Sequence, residues 1–99
     1  MLAYKLFRIL KDGSIRSLFI NKKMKYDLNT WYNAEPHLTK GYKFRKGFHC
    51  LENPVAPHLS EKNRAWFLVE IKNFTKFERP ISQGGIWFLA DKIKLIKKL

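Results

Sequence analysis

Arg64-Ala65-Trp66-Phe67-Leu68-Val69-Glu70-Ile71 is the most regular apolar run in the chain. Successive side chains of a strand point to opposite faces. Ala65, Phe67, Val69 and Ile71 therefore share one face, and Trp66, Leu68 and Glu70 the other. Both sets are mostly apolar, the pattern of a strand covered on both sides, which places this segment at the centre of a sheet. The fold is then read outward from it.

Upstream, Gly47-Phe48-His49-Cys50-Leu51 reads as a strand with Phe48 and Cys50 on one face and His49 on the other. Between the two strands, Asn53 to Leu59 carries Pro54 and Pro57, which bars a central strand and predicts an irregular crossing or one helical turn. At the N-terminus, residues 4–10 and 15–20 flank Lys11-Asp12-Gly13-Ser14, a hairpin signature. A short third strand follows near Met24 to Tyr26. Asn29 or Thr30 is placed to cap a helical turn through Trp31, Tyr32 and Ala34 that stops before Pro36, with Trp31 plugging one end of the sheet. His37 to Lys46 reads as a basic loop, and Phe74 to Pro80 as a connecting turn. Ser82-Gln83-Gly84-Gly85 reads as a loop, and the tail 86–99 fits either a helical stripe or a strand alternating with lysines, the strand being favoured by its β-rich surroundings. The expected fold is α+β and mainly antiparallel β, one compact domain over 1–99 with about five or six short strands and one or two short helices.

Composition narrows the function classes. With 45% hydrophobic and 15% aromatic residues, the chain has the means to fill a core and does not read as disordered. Charges at Lys5 and Arg8 interrupt the apolar N-terminus, so it does not read as a secretory signal, and no apolar run is long enough for a membrane helix. A lone cysteine excludes an intrachain disulfide and fits a reducing cytoplasm. The dominant fact is charge: 20 Lys and Arg against 8 Asp and Glu give +12. A lysine-rich coding bias accounts for part of this, but not for the scarcity of acids. So large an excess attracts polyanions.

The chemistry-bearing residues cluster between Thr39 and Ile71. Lys40, Lys43, Arg45 and Lys46 alternate with Tyr42, Phe44 and Phe48. Cations on phosphates with a ring stacked on a base are what single-stranded nucleic acid or a nucleotide needs; the competing reading anchors the rings in the core and leaves the lysines in water. Arg64 joins this group as a phosphate or acidic-partner contact, and Trp66 as a second stacking ring. His49, His58 and Glu70, with the amides of Gly84 and Gly85, are candidates to line a small pocket. His37, His49, Cys50 and His58 have metal-binding side chains, but adjacent His49 and Cys50 diverge on a strand, so no zinc site is expected. Cys50 reads as a buried apolar residue rather than a nucleophile. No catalytic residue and no cofactor is assigned.

Arg45-Lys46-Gly47-Phe48-His49-Cys50, then Pro54-Val55-Ala56-Pro57-His58-Leu59-Ser60, Arg79-Pro80 and Ser82-Gln83-Gly84-Gly85 before Trp87, resemble a family of small uncharacterised bacteriophage proteins over nearly the whole chain. That resemblance implies a phage protein acting in the host cytoplasm and brings no established activity. Gly47 to Cys50 followed by Arg64 to Ile71 is also similar to part of ADP-ribosyltransferase-like folds, although no complete catalytic set maps onto this chain. The function expected is binding without catalysis: capture of RNA or DNA, or blockade of an acidic or nucleic-acid-binding host defence protein in an anti-CRISPR-like role. The alternative is a nucleotide sponge or small nucleotide-modifying enzyme with a His-lined pocket.

Overall fold

A computed structural model describes residues 1–18, 24–34, 36–38 and 44–99. Its strands are β1 (Leu2–Ile9), β2 (Ile15–Arg16), β3 (Lys25–Tyr26), β4 (Trp31–Asn33), β5 (Pro36–Leu38), β6 (Phe44–Lys46), β7 (Phe48–Leu51), β8 (Arg64–Glu78) and β9 (Ile86–Lys98). Every strand–strand ladder is antiparallel. The expected helices are not found among the described residues: one 3-10 turn, Ile81–Gln83, is the whole helical content there. The β-rich reading holds, and the α+β assignment gives way to an almost purely antiparallel sheet.

β8 is central, as its apolar faces require: it pairs with β1 on one edge and β9 on the other. β9 pairs in turn with β7 and β4, and β7 returns to β1 through Tyr4 opposite Leu51. The path β1–β8–β9–β7–β1 thus closes on itself. Its last link is slender, one register pair reinforced by the Lys5 ammonium donating to the His49 carbonyl at 3.0 Å. β2 and β3 extend the sheet from the free part of β1, and β5 and β6 form a separate hairpin.

Direct cross-strand partners share a face, so the register sorts the side chains. Ala3, Lys5 and Phe7 lie opposite Val69, Phe67 and Ala65 and face the enclosed core. There Phe7 meets Phe67 edge-on at 5.4 Å and Tyr26 at 5.3 Å. The outer face carries a second apolar cluster of Leu6, Leu51, Ala56, Trp66 and Trp87, with Leu59 packed against it. Ala56 and Leu59 come from the Pro-rich crossing, so that segment serves as a cover over the outer face.

Three further corrections concern single segments. Residues 74–78 continue β8 rather than turning, because β9 offers partners down to Glu78 opposite Ile86. The core-facing parity changes on the way: Ile71 pairs with Ile93, but Phe74 pairs with Ala90, and both Ile93 and Ala90 are buried. The change falls at Asn73, whose φ of 51° is the left-handed conformation that Asn tolerates better than most residues. The second correction is β4, expected as a helical turn. Asn29 has φ 59°, not the extended geometry of an N-cap. It donates its N–H to Leu95 O at 2.8 Å, which docks the segment on the edge of β9. His37 to Lys46, expected as a loop, contains β6 and all of β5 but its first residue, Pro36.

Candidate polyanion-binding surface

On the outer face the register aligns four cations. Arg64 of β8 lies opposite Arg8 of β1, Arg8 opposite Arg16 of β2, and Arg16 opposite Lys25 of β3. Strands lie about 4.8 Å apart, so the row spans roughly 14 Å. Like charges directly opposite each other destabilise a sheet by about 0.2–1 kcal/mol per pair, and this row contains three such pairs in succession. No acid stands within the row.

Its members are held differently. The Arg64 guanidinium donates to Ser60 O at 2.9 Å, and Arg16 Nε donates to Ser14 Oγ at 3.3 Å. Arg8 Nε is shielded from solvent and has no hydrogen-bond partner among the described residues. A buried charged donor left unmet is unfavourable, and an anion at the row is one way to satisfy it. Asp12, in the turn between β1 and β2, is an acid near enough to act on Arg16 and Lys25. Its carboxyl is held below its ordinary pKa first by hydrogen bonds from Ser14 and more weakly by Arg16 and Lys25, so it stays ionised beside the cations.

Of the sequence-predicted contacts, Arg64 is the one the register carries into this row. Arg45 and Lys46 stand on β6 opposite His37 and Pro36. Lys40, Tyr42 and Lys43 lie outside the described residues. Arg8, Arg16 and Lys25 were not singled out by sequence, since they are scattered along the chain and only the hairpin pairing brings them into register. Trp66 does not fit the stacking role: it is 8% exposed and packs in the outer apolar cluster.

The residues proposed to line a pocket divide. His49 and His58 both approach Trp87, at 6.3 and 5.9 Å between ring centroids, and Phe77 stacks on Trp87 at 6.4 Å beneath the Arg79 guanidinium. Trp87 is 5% exposed and its indole N–H is spent on Gln83 O at 2.7 Å, so this cluster is packing rather than an open site. The amides of Gly84 and Gly85 donate to Ile81 O and Pro80 O instead of facing a ligand. Gly84 is required where it stands: φ is 101°, and a Cβ there would lie 2.5 Å from Leu51 Cδ2. Glu70 lies elsewhere, paired with Lys94 at 3.4 Å. Among the described residues no three His, Cys, Asp or Glu side chains gather to hold a metal ion, and no helix is long and apolar enough to cross a membrane.

A second cationic area surrounds Trp31, which sequence placed in the core. It sits instead at the surface, 36% exposed, with Lys72 Nζ 4.2 Å and Lys94 Nζ 5.1 Å from its ring centre. At exposed sites such cation–π contacts contribute about 0.5–1 kcal/mol each. The chain matches no protein-family model, no curated protein and no solved structure.

Proposed function

We propose that this protein binds nucleic acid through its phosphates, with the Arg64–Arg8–Arg16–Lys25 row as the principal contact. The observation that carries this is the row itself: four cations in direct cross-strand register, one with a buried, unmet guanidinium N–H. A sheet built for stability alone would alternate charges at these positions. The net charge of +12 supplies the long-range attraction, and the row supplies a place for the backbone to lie. The phage likeness suggests a narrower role, blockade of a host defence complex at a nucleic-acid surface, in which the same row would meet nucleic acid or an acidic face.

Replacing both Arg8 and Arg16 with glutamine tests the reading. In fluorescence anisotropy with a labelled oligonucleotide across a salt series, the variant is expected to bind about tenfold more weakly at physiological salt. The slope of log K against log salt should shrink by about 2, one for each lost phosphate contact. Replacing Lys97 and Lys98, both exposed near the end of β9, with glutamine removes the same net charge away from the row and should change far less. Equal losses in the two variants would show that bulk charge, not the row, drives binding. Absence of salt-dependent binding by the unaltered protein would end the proposal.

A further inference from the structure

We infer that the nucleic acid is single-stranded and that one of its bases stacks on Trp31. The inference rests on the nucleic-acid reading above but uses a different surface. Of the three tryptophans, Trp66 and Trp87 are buried and Trp31 alone is substantially exposed. Its neighbours are three cations on the next two strands: Trp31 on β4 faces Lys94 on β9, and Asn33 on β4 faces Lys92, which in turn faces Lys72 on β8.

Lys92 and Lys94 are two residues apart on one face, a separation of roughly 6.6 Å, comparable to that of successive phosphates in an extended strand. An indole beside paired ammonium groups is the combination that single-strand binders use, the ring taking a base and the lysines its flanking phosphates. A duplex keeps its bases stacked inside and offers a surface indole only backbone, so this feature has no use for one. The two lysines over the ring are the interaction that a base would replace, which frees their ammonium groups for phosphate. Glu70, paired with Lys94 at 3.4 Å, tempers one of them and leaves Lys72 and Lys92 as the stronger phosphate contacts. Along β8, Arg64 and Lys72 are eight residues apart, roughly 26 Å, so the row and the Trp31 surface can be altered separately.

The test is a tryptophan-fluorescence titration run beside anisotropy, with oligothymidylate, oligouridylate and a DNA duplex of matching length. Both single strands, or one of them if the ribose is discriminated, should quench the exposed indole, and duplex bound through the arginine row should not. Trp31→Ala should weaken single-strand binding about tenfold or more and leave duplex binding within about twofold. Trp31→Phe, which keeps a stacking ring, should recover most of the loss. Unaltered thermal melting will show that the Ala variant is folded. Binding with the expected salt slope but no quenching, or an equal loss for duplex and single strand in Trp31→Ala, would overturn this inference and leave the arginine row standing. If none of the three probes binds at all, both readings fall together.

Discussion

Replacing Phe67 with alanine is expected to destabilise the protein by about 3–5 kcal/mol, a large part of the total stability of a domain this small. Phe67 is 1% exposed, lies on the strand that pairs on both edges, and meets Phe7 edge-on at 5.4 Å. Truncation removes the ring's transfer free energy and leaves a cavity between β1 and β9 that neither strand can close without giving up ladder pairing. Each kcal/mol should lower the melting temperature by about 4–8 °C at this size. Phe67→Leu, closer in volume, should lose less than about half as much. Phe74→Ala is the comparison on the same strand: Phe74 is 38% exposed and its ring has Phe88 at 5.5 Å, so about 1 kcal/mol or less is expected. Urea denaturation of the three variants measures this. Similar losses for Phe67→Ala and Phe74→Ala would mean that the enclosed core does not centre on Phe67.

That contrast marks how far sequence could be read. Ala65 to Ile71 announces a doubly covered strand, and the pairing on both edges agrees. Phe48 and Cys50 against His49 also divide as alternation requires, the first two toward the enclosed core and His49 toward Phe77 and Trp87. Alternation is a local property, so it survives without knowledge of partners. Where the decisive partner is distant, the reading goes astray. Trp31 to Asn33 has helical capping chemistry before it, but the open edge of β9, some sixty residues later in the chain, captures it as a strand. Phe74 to Pro80 reads as a connecting turn, yet Trp87 opposite Phe77 and Ile86 opposite Glu78 extend the ladder through most of it.

The binding surface is a stronger case of the same limit. Sequence draws attention to contiguous charge, such as Lys40 to Lys46, because neighbours in the chain are all it can compare. A row of cations across β8, β1, β2 and β3 depends on register, and a slip of one residue in any pair would send one side chain to the opposite face. The unmet Arg8 Nε follows from the same register, since the flanking strands that shield it also set arginines on either side. Arg64 was legible as a phosphate or acidic-partner contact, but the cations it faces were not.

The titration of Cys50 should by itself withdraw about 2 kcal/mol of stability between pH 9 and 11. The thiol is fully buried, and burial pushes its pKa from 9.0 up to about 11, slightly offset by the Lys5 ammonium. Below pH 9 folded and unfolded chains both keep the proton, and the group is neutral to stability. Between the two values the unfolded chain releases it and the folded chain does not, so unfolding gains as pH rises. Lys5 acts with the opposite sign. Burial lowers its pKa below the ordinary 10.5, the nearby Cys50 offsetting this in part. From its folded value up to 10.5 the unfolded chain therefore holds more protons, and stability rises with pH. The slope of the unaltered protein is the sum of these two trends and of every exposed group. Cys50→Ala removes the falling part, at a roughly constant loss from the small cavity, and also withdraws the support Cys50 gives to the Lys5 charge, which steepens the rising part. Urea midpoints of both proteins at intervals from pH 8 to 11 should therefore converge as pH rises, the gap closing by most of the predicted amount. Parallel curves would show that the thiol titrates as it does in water, and that the interior beside β7 is open to solvent where, among the described residues, a single register pair and the Lys5 hydrogen bond join it to β1.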